Sequence, residues 1–143
     1  MARRGARVNF RELKRMQKKM EKLGKEYDKF CEAAAKELAA RLLRKVIKRT
    51  PVGVYEDDKT GGTLRRGWTV GEVKKNGSHF EIEVINPTEY AQYVEFGHRT
   101  RNHQGWVNGR FMMTISADEV ERAAPAILEK KLMKMLREAF NGD

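Results

Sequence analysis

The chain has 143 residues, 40% hydrophobic and 35% charged, enough for one domain with a single core and too few for two. No apolar run approaches the roughly 18–20 residues that span a bilayer, and the basic start Met1-Ala2-Arg3-Arg4-Gly5 lacks the apolar stretch of a signal peptide, so neither is expected. The single cysteine, Cys31, excludes an internal disulfide and makes a reducing cytoplasm the expected site of synthesis. The net charge of +10 is uneven: residues 1–50 hold 17 Lys+Arg against 6 Asp+Glu (+11), and residues 51–143 hold 13 against 14 (−1). Such asymmetry suits an acidic partner, whether nucleic acid, a protein surface or an anionic membrane, and suits a solvated helix face equally well.

From Asn9 to Arg49 there is no proline and one glycine, Gly24. Leu13, Met16, Met20, Leu23, Tyr27, Phe30 and Ala34 recur at spacings of three and four, and Leu38, Leu42 and Val46 continue the stripe. That rhythm predicts a helix over 9–49, opened by an Asn9–Glu12 capping pair and ended at Thr50-Pro51. Arg15, Lys18, Lys22, Lys25, Lys29 and Lys36 each follow a stripe residue by two positions, about 200° round the helix, so a basic ridge runs opposite the apolar seam. Forty helical residues reach roughly 60 Å, against a radius of gyration near 15 Å for a compact domain of this size. Either the helix bends at Gly24 or its first half packs outside its own subunit; the second reading is favoured and points to an oligomer.

Residues 51–63 read as a polar, acidic loop. A β-hairpin is expected over 64–86, with Leu64, Trp68 and Val70 on one run and Phe80, Ile82 and Val84 alternating with Glu81 and Glu83 on the other. Lys75-Asn76-Gly77-Ser78 joins them, Asn-Gly being a strong hairpin signal. Asn86-Pro87-Thr88 turns the chain into a helical turn or two over 90–96, and 97–110 reads as a long contact loop. Trp106 and Val107 lie in that loop, where Trp106 either lids the core or meets a partner. Phe111–Ile115 suits a third strand. Ser116 with Glu119 suggests a capping box that opens a C-terminal helix over 117–140, kinked or restarted at Pro125.

The fold expected is α+β in one domain, 1–143: a long N-terminal helix, a small antiparallel sheet with a hairpin, and a C-terminal helix packed on the sheet. The expected core comprises Leu42, Val46, Leu64, Trp68, Phe80, Ile82, Val84, Tyr90, Tyr93, Leu128 and Leu132. Arg15, Lys18, Lys22, Lys25, Lys29, Trp106, Val107 and Phe111 are the candidate subunit or partner contacts.

No catalytic or metal constellation stands out. His98 and His103 share a loop near Glu95 but lack zinc-site spacing, and Asn102-His103 lacks the paired carboxylates of a metal nuclease. Cys31, beside Phe30, reads as a small buried hydrophobe. No cofactor, no metal and no enzymatic activity are expected.

Three segments form a recurring pattern: Lys48-Arg49-Thr50-Pro51-Val52, Gly62-Thr63-Leu64-Arg65-Arg66-Gly67-Trp68, and Asn86-Pro87-Thr88-Glu89-Tyr90-Ala91-Gln92-Tyr93-Val94-Glu95-Phe96-Gly97-His98-Arg99-Thr100. The pattern resembles the small tail-component or neck proteins of long-tailed phages and prophages, the last block being the most specific. The chain departs from that family in its longer acidic loop, Val54 to Thr63, and in Gly109-Arg110-Phe111-Met112-Met113 where a Pro-Phe-Leu is usual. The resemblance implies an α+β structural protein of the virion neck or tail, made in the host cytoplasm. Its Gly-x-Leu-Arg would begin the first strand. It would assemble as a six- or twelve-fold ring with head-closure, tail-terminator or tail-tube proteins as neighbours, with DNA passing through the lumen and no membrane involved. The alternative is a nucleic-acid-binding protein using the basic helix, against which base-reading motifs and interleaved aromatics are missing.

Overall fold

The computed structural model describes residues 10–52 and 61–141. The Asn9 cap and residues 53–60 of the acidic loop lie outside them. Helix α1 runs unbroken from Phe10 to Arg49, through Gly24, and the chain leaves it at Thr50-Pro51. A short helix α2 (Thr63–Arg66) leads to strands β1 (Thr69–Val70), β2 (Lys74–Asn76), β3 (His79–Glu81) and β4 (Val84–Ile85). Helix α3 (Ala91–Phe96), strands β5 (Gly97–Arg99) and β6 (Trp106–Asn108), and helix α4 (Met112–Asn141) complete the α+β chain.

The first hairpin pairs β1 with β4 and β2 with β3, both antiparallel. Val70 faces Val84 and Lys74 faces Glu81, so residues 71–73 on the outgoing strand answer only 82 and 83 on the return. One extra residue makes a bulge, which raises the local twist and curls the ribbon. The Gly71 N–H still donates to the Glu83 carbonyl at 2.8 Å. At the tip, Asn76 pairs with His79, so Gly77-Ser78 is the two-residue loop. Gly77 takes positive φ, +63°, and Ser78 does not, the mark of a glycine-first II′ turn. Phe80, Ile82 and Val84 are half-buried while Glu81, Glu83 and Ile85 are exposed, so the period of two persists through the bulge. Contacts from β1, β3 and β4 run to α1.

Helix α4 lies antiparallel along α1, its main packing partner, with little of the expected seat on the sheet. Arg49 donates to Ser116 Oγ at 3.1 Å and pairs with Glu119, Lys45 pairs with Glu119 at 2.7 Å, and Lys131 pairs with Glu37 further along. That register brings the C-terminus of α4 level with the middle of α1. Lys75, near the hairpin tip, reaches Asp28 at 2.9 Å while sitting 5.6 Å above the Phe80 ring.

Several expectations give way. Leu64 lies in α2 rather than at the start of a strand, with its side chain buried. Residues 97–110 form a second hairpin in which His98 faces Val107 and Arg99 faces Trp106. Phe111–Ile115 is no strand: α4 begins at Met112 and already includes Ser116, and it passes Pro125 without restarting. Cys31 is half-buried.

Tyr90, Tyr93 and Leu132, expected in the core, are exposed, Tyr93 at 60%. Tyr93 lies on α3, a helix of only 6 residues that turns one flank outward, and Tyr90 immediately precedes it. Leu132, at 36% exposure, lies at the edge of the half-buried face of α4, one turn from Leu128. Among the described residues Ala34, Ala39, Val46, Leu64 and Met112 are the buried hydrophobics, while Leu42, Trp68, Phe80, Ile82, Val84 and Leu128 are half-buried. This is a thin core, and much apolar surface stays in contact with water.

Candidate assembly interface

Many residues of the recurring pattern face inward and bind the elements to one another. Thr50, fully buried, donates its hydroxyl to the Val46 carbonyl at 2.5 Å and accepts the Trp68 indole N–H at 2.6 Å. Its carbonyl accepts two N–H groups of Arg65, at 3.1 and 2.8 Å. The helix stop, the Leu-Arg turn and the Gly-Trp step are thus tied at one residue. Asn86 Nδ2 donates to the Leu64 carbonyl at 2.7 Å and its Oδ1 accepts the Thr88 N–H at 3.1 Å. Such groups satisfy the backbone that the short strands leave unpaired.

Glu95 closes the frame. Its carboxylate is buried at 7% exposure and accepts the N–H of Met113 at 2.9 Å, the N–H of Thr114 at 2.8 Å and the Thr114 hydroxyl at 2.7 Å. These are free donors of the first turn of α4, and an anion there also meets the positive end of the helix dipole. Phe111, just before the helix, adopts positive φ, +48°, and its N–H is held by the Glu95 carbonyl at 3.0 Å. Gly97 follows at φ +89°, where a Cβ would sit 2.5 Å from the Val107 carbonyl oxygen; only glycine lets β6 cross so close.

The side chains this frame pushes outward are aromatic. Tyr93, Phe96 and Trp106 are 60%, 61% and 59% exposed, and Tyr90, Val107, Phe111 and Ile115 are exposed beside them. Tyr93 meets His98 edge-on at 6.2 Å, and Phe96 meets Phe111 edge-on at 6.4 Å. Tyr90, Tyr93, Val94, Gly97, His98 and Trp106 line a cleft of about 640 Å³, with Arg99 on its rim. The open alternative for Trp106 resolves here: it does not lid the core. Trp106 shares that cleft with Tyr93, Phe111 meets Phe96, and Val107 is exposed next to Trp106 on β6; the sequence reading places Tyr93 in the core and does not single out Phe96.

The basic candidates lie at the other end. Arg15, Lys18, Lys22, Lys25 and Lys29 are exposed along α1, and none has a carboxylate partner among the described residues. On the opposite side of that stretch, Met20 and Tyr27 are 55% and 50% exposed. Since α4 and the hairpin tip reach only the middle of α1, the stretch before about Gly24 projects beyond the rest of the fold.

The His98 ring Nδ1–H donates to the Arg99 carbonyl at 2.8 Å, and among the described residues no three of His, Cys, Asp and Glu converge as metal ligands. Nor is any described helix long and apolar enough to cross a membrane.

No curated protein and no solved structure matches the chain. Residues 14–97 match the HK97-gp10-like family, described as "Bacteriophage HK97-gp10, putative tail-component". The match takes in α1 from its second turn, the Thr50 hub, the bulged hairpin and α3 with Glu95, while the rest of the second hairpin and α4 lie outside it. The chain belongs to the HK97-gp10-like family of bacteriophage tail components.

Proposed function

We propose that this chain is a ring-forming connector or tail-completion subunit of a phage, or of a tail-like particle, seated in the neck or tail between head-closure and tail-tube proteins. Family membership supports a structural role in the virion and points away from an enzyme. The observation that carries the ring is the imbalance between a thin buried core and the large apolar side chains left outside it, on α1 and around Trp106. Contiguous apolar surface on a small soluble chain marks a protein contact, and closed symmetric assembly is the usual way for one chain to cover it.

The test is imaging of the purified protein by negative-stain electron microscopy with rotational averaging. Rings of six- or twelve-fold symmetry are expected. Fields of isolated particles the size of one chain contradict the proposal.

The unpaired cations on α1 favour a second reading, in which the ridge meets the phosphates of DNA, either in the ring lumen or as the chain's main partner. Five neutralised phosphates give an affinity that falls with log salt at a slope of about −4 to −5. A duplex titration at two salt concentrations reads that slope. Strong binding by a chain that never assembles makes this the primary function.

A further inference from the structure

The two exposed apolar surfaces sit at opposite ends of one rod and differ in shape. One is convex: the seam of the projecting part of α1, with Met20, Leu23 and Tyr27. The other is the concave aromatic cleft of α3 and the second hairpin, with Tyr93, His98 and Trp106. Glu95 fixes the cleft to the start of α4, and Arg49 with Ser116 fixes that start to the end of α1. Met20 and Arg49 are therefore about 43 Å apart along the helix axis at about 1.5 Å per residue. One copy cannot cover its own cleft with its own seam.

Charge favours bringing the two together between copies. Within 14–30 the carboxylates fall between seam and ridge, Glu21 and Asp28 on one side and Glu26 on the other. Asp28 is taken by Lys75, while Glu21 and Glu26 pair with no cation among the described residues. The cleft's hairpin carries Arg99 and Arg101, both exposed and both without a carboxylate partner among the described residues. The seam is thus flanked by Glu21 and Glu26, with Lys19 beside Glu26, while the cleft's lining includes Arg99 and the same hairpin carries Arg101 two residues on. The projecting stretch also needs a partner, because an isolated helix of about 15 residues is marginal in water.

We propose that the α1 seam of one copy seats in the aromatic cleft of the next, with Glu21 and Glu26 opposite Arg99 and Arg101. This rests on the ring reading and names the surfaces that close it. Seam and cleft are different surfaces, so the contact is heterologous, which yields a ring when the rotation closes. An amphipathic helix in an apolar groove is a common mode of recognition. The basic ridge, on the far side of α1, stays uncovered by this contact.

The test uses a C31S background carrying either Met20→Cys in the seam or Tyr90→Cys in the cleft. Disulfide-linked dimers are expected when the two proteins are mixed under mild oxidation, and not from either alone. A second pair of variants does not depend on cysteine geometry. E21K/E26K is expected to weaken self-association about tenfold or more, as like charges meet, and adding R99E/R101E is expected to restore it. M20C linking to itself overturns the proposal in favour of seam-to-seam contact. Rings that form with no Met20–Tyr90 link, and that tolerate E21K/E26K, overturn it while leaving the ring reading intact. A wild type that never associates removes both.

Discussion

Glu95 and Met113 are 18 residues apart in sequence, yet the Glu95 carboxylate accepts the Met113 N–H at 2.9 Å and so serves as the N-cap of α4. The cap comes from another helix, which welds α3 and its aromatic flank to the start of the long C-terminal helix. Glu95→Ala is expected to cost about 2 kcal/mol, combining a lost cap with stranded donors. Thermal melting by circular dichroism checks this, and a melting temperature equal to wild type would remove Glu95 from that role.

Thr50 and Trp68 form the second long-range tie. Thr50→Val keeps the shape but leaves the Trp68 indole N–H without its acceptor, at an expected cost of about 1–3 kcal/mol. Trp68→Phe removes that donor, so the double variant is expected to be less destabilised than the two single costs summed. Denaturant unfolding of the four proteins reads the coupling; strict additivity would mean that the bond contributes nothing.

Much of this frame was legible in the sequence, and the reasons differ by element. Helix α1 could be read because its seam repeats over many turns and Thr50-Pro51 stops it. The alternation of Phe80, Ile82 and Val84 with glutamates gave away the hairpin, since one face packs and the other does not. The bulge was not legible: an extra residue in 71–73 shows only against its partner strand. The start of α4 was misplaced for a definite reason. Ser116 and Glu119 have the spacing of a capping box but are spent on Arg49 and Lys45 of α1, while the true cap lies in α3. Tyr90 and Tyr93 misled in the same way, because apolar spacing marks a face without saying whether that face meets its own core or another subunit. Trp106, Val107 and Phe111 stood out through their setting among polar loop residues, and all three side chains are exposed.

Trp106 separates folding from assembly. With its ring 59% exposed, Trp106→Ala is expected to change stability by no more than about 0.5 kcal/mol while sharply reducing self-association. Melting and sedimentation velocity on the same sample distinguish the effects. A large drop in melting temperature would return Trp106 to the core.

Acid weakens the junction of α1 and α4 through Glu119. Hydrogen bonds from Lys45, then Arg49, hold its carboxyl below the ordinary value of 4.5. A group whose pKa is lower folded than unfolded stabilises the fold fully above its unfolded pKa, and that contribution disappears as pH falls through the folded pKa. Between neutrality and pH 5 this pair is expected to leave stability unchanged, with the loss setting in below about pH 4.5. Glu119→Gln is expected to flatten that acid-side slope in denaturant melts; an unchanged slope would place the acid sensitivity elsewhere.

The most direct measurement of the central claim, that the apolar surface outside the core is covered by further copies of the chain, is the mass of the purified protein in solution. Light scattering at two protein and two salt concentrations suffices. A discrete multimer of six or twelve subunits is expected, its mass unchanged on dilution within the assembled range. A single 16.6 kDa species at both protein concentrations and both salts would contradict it.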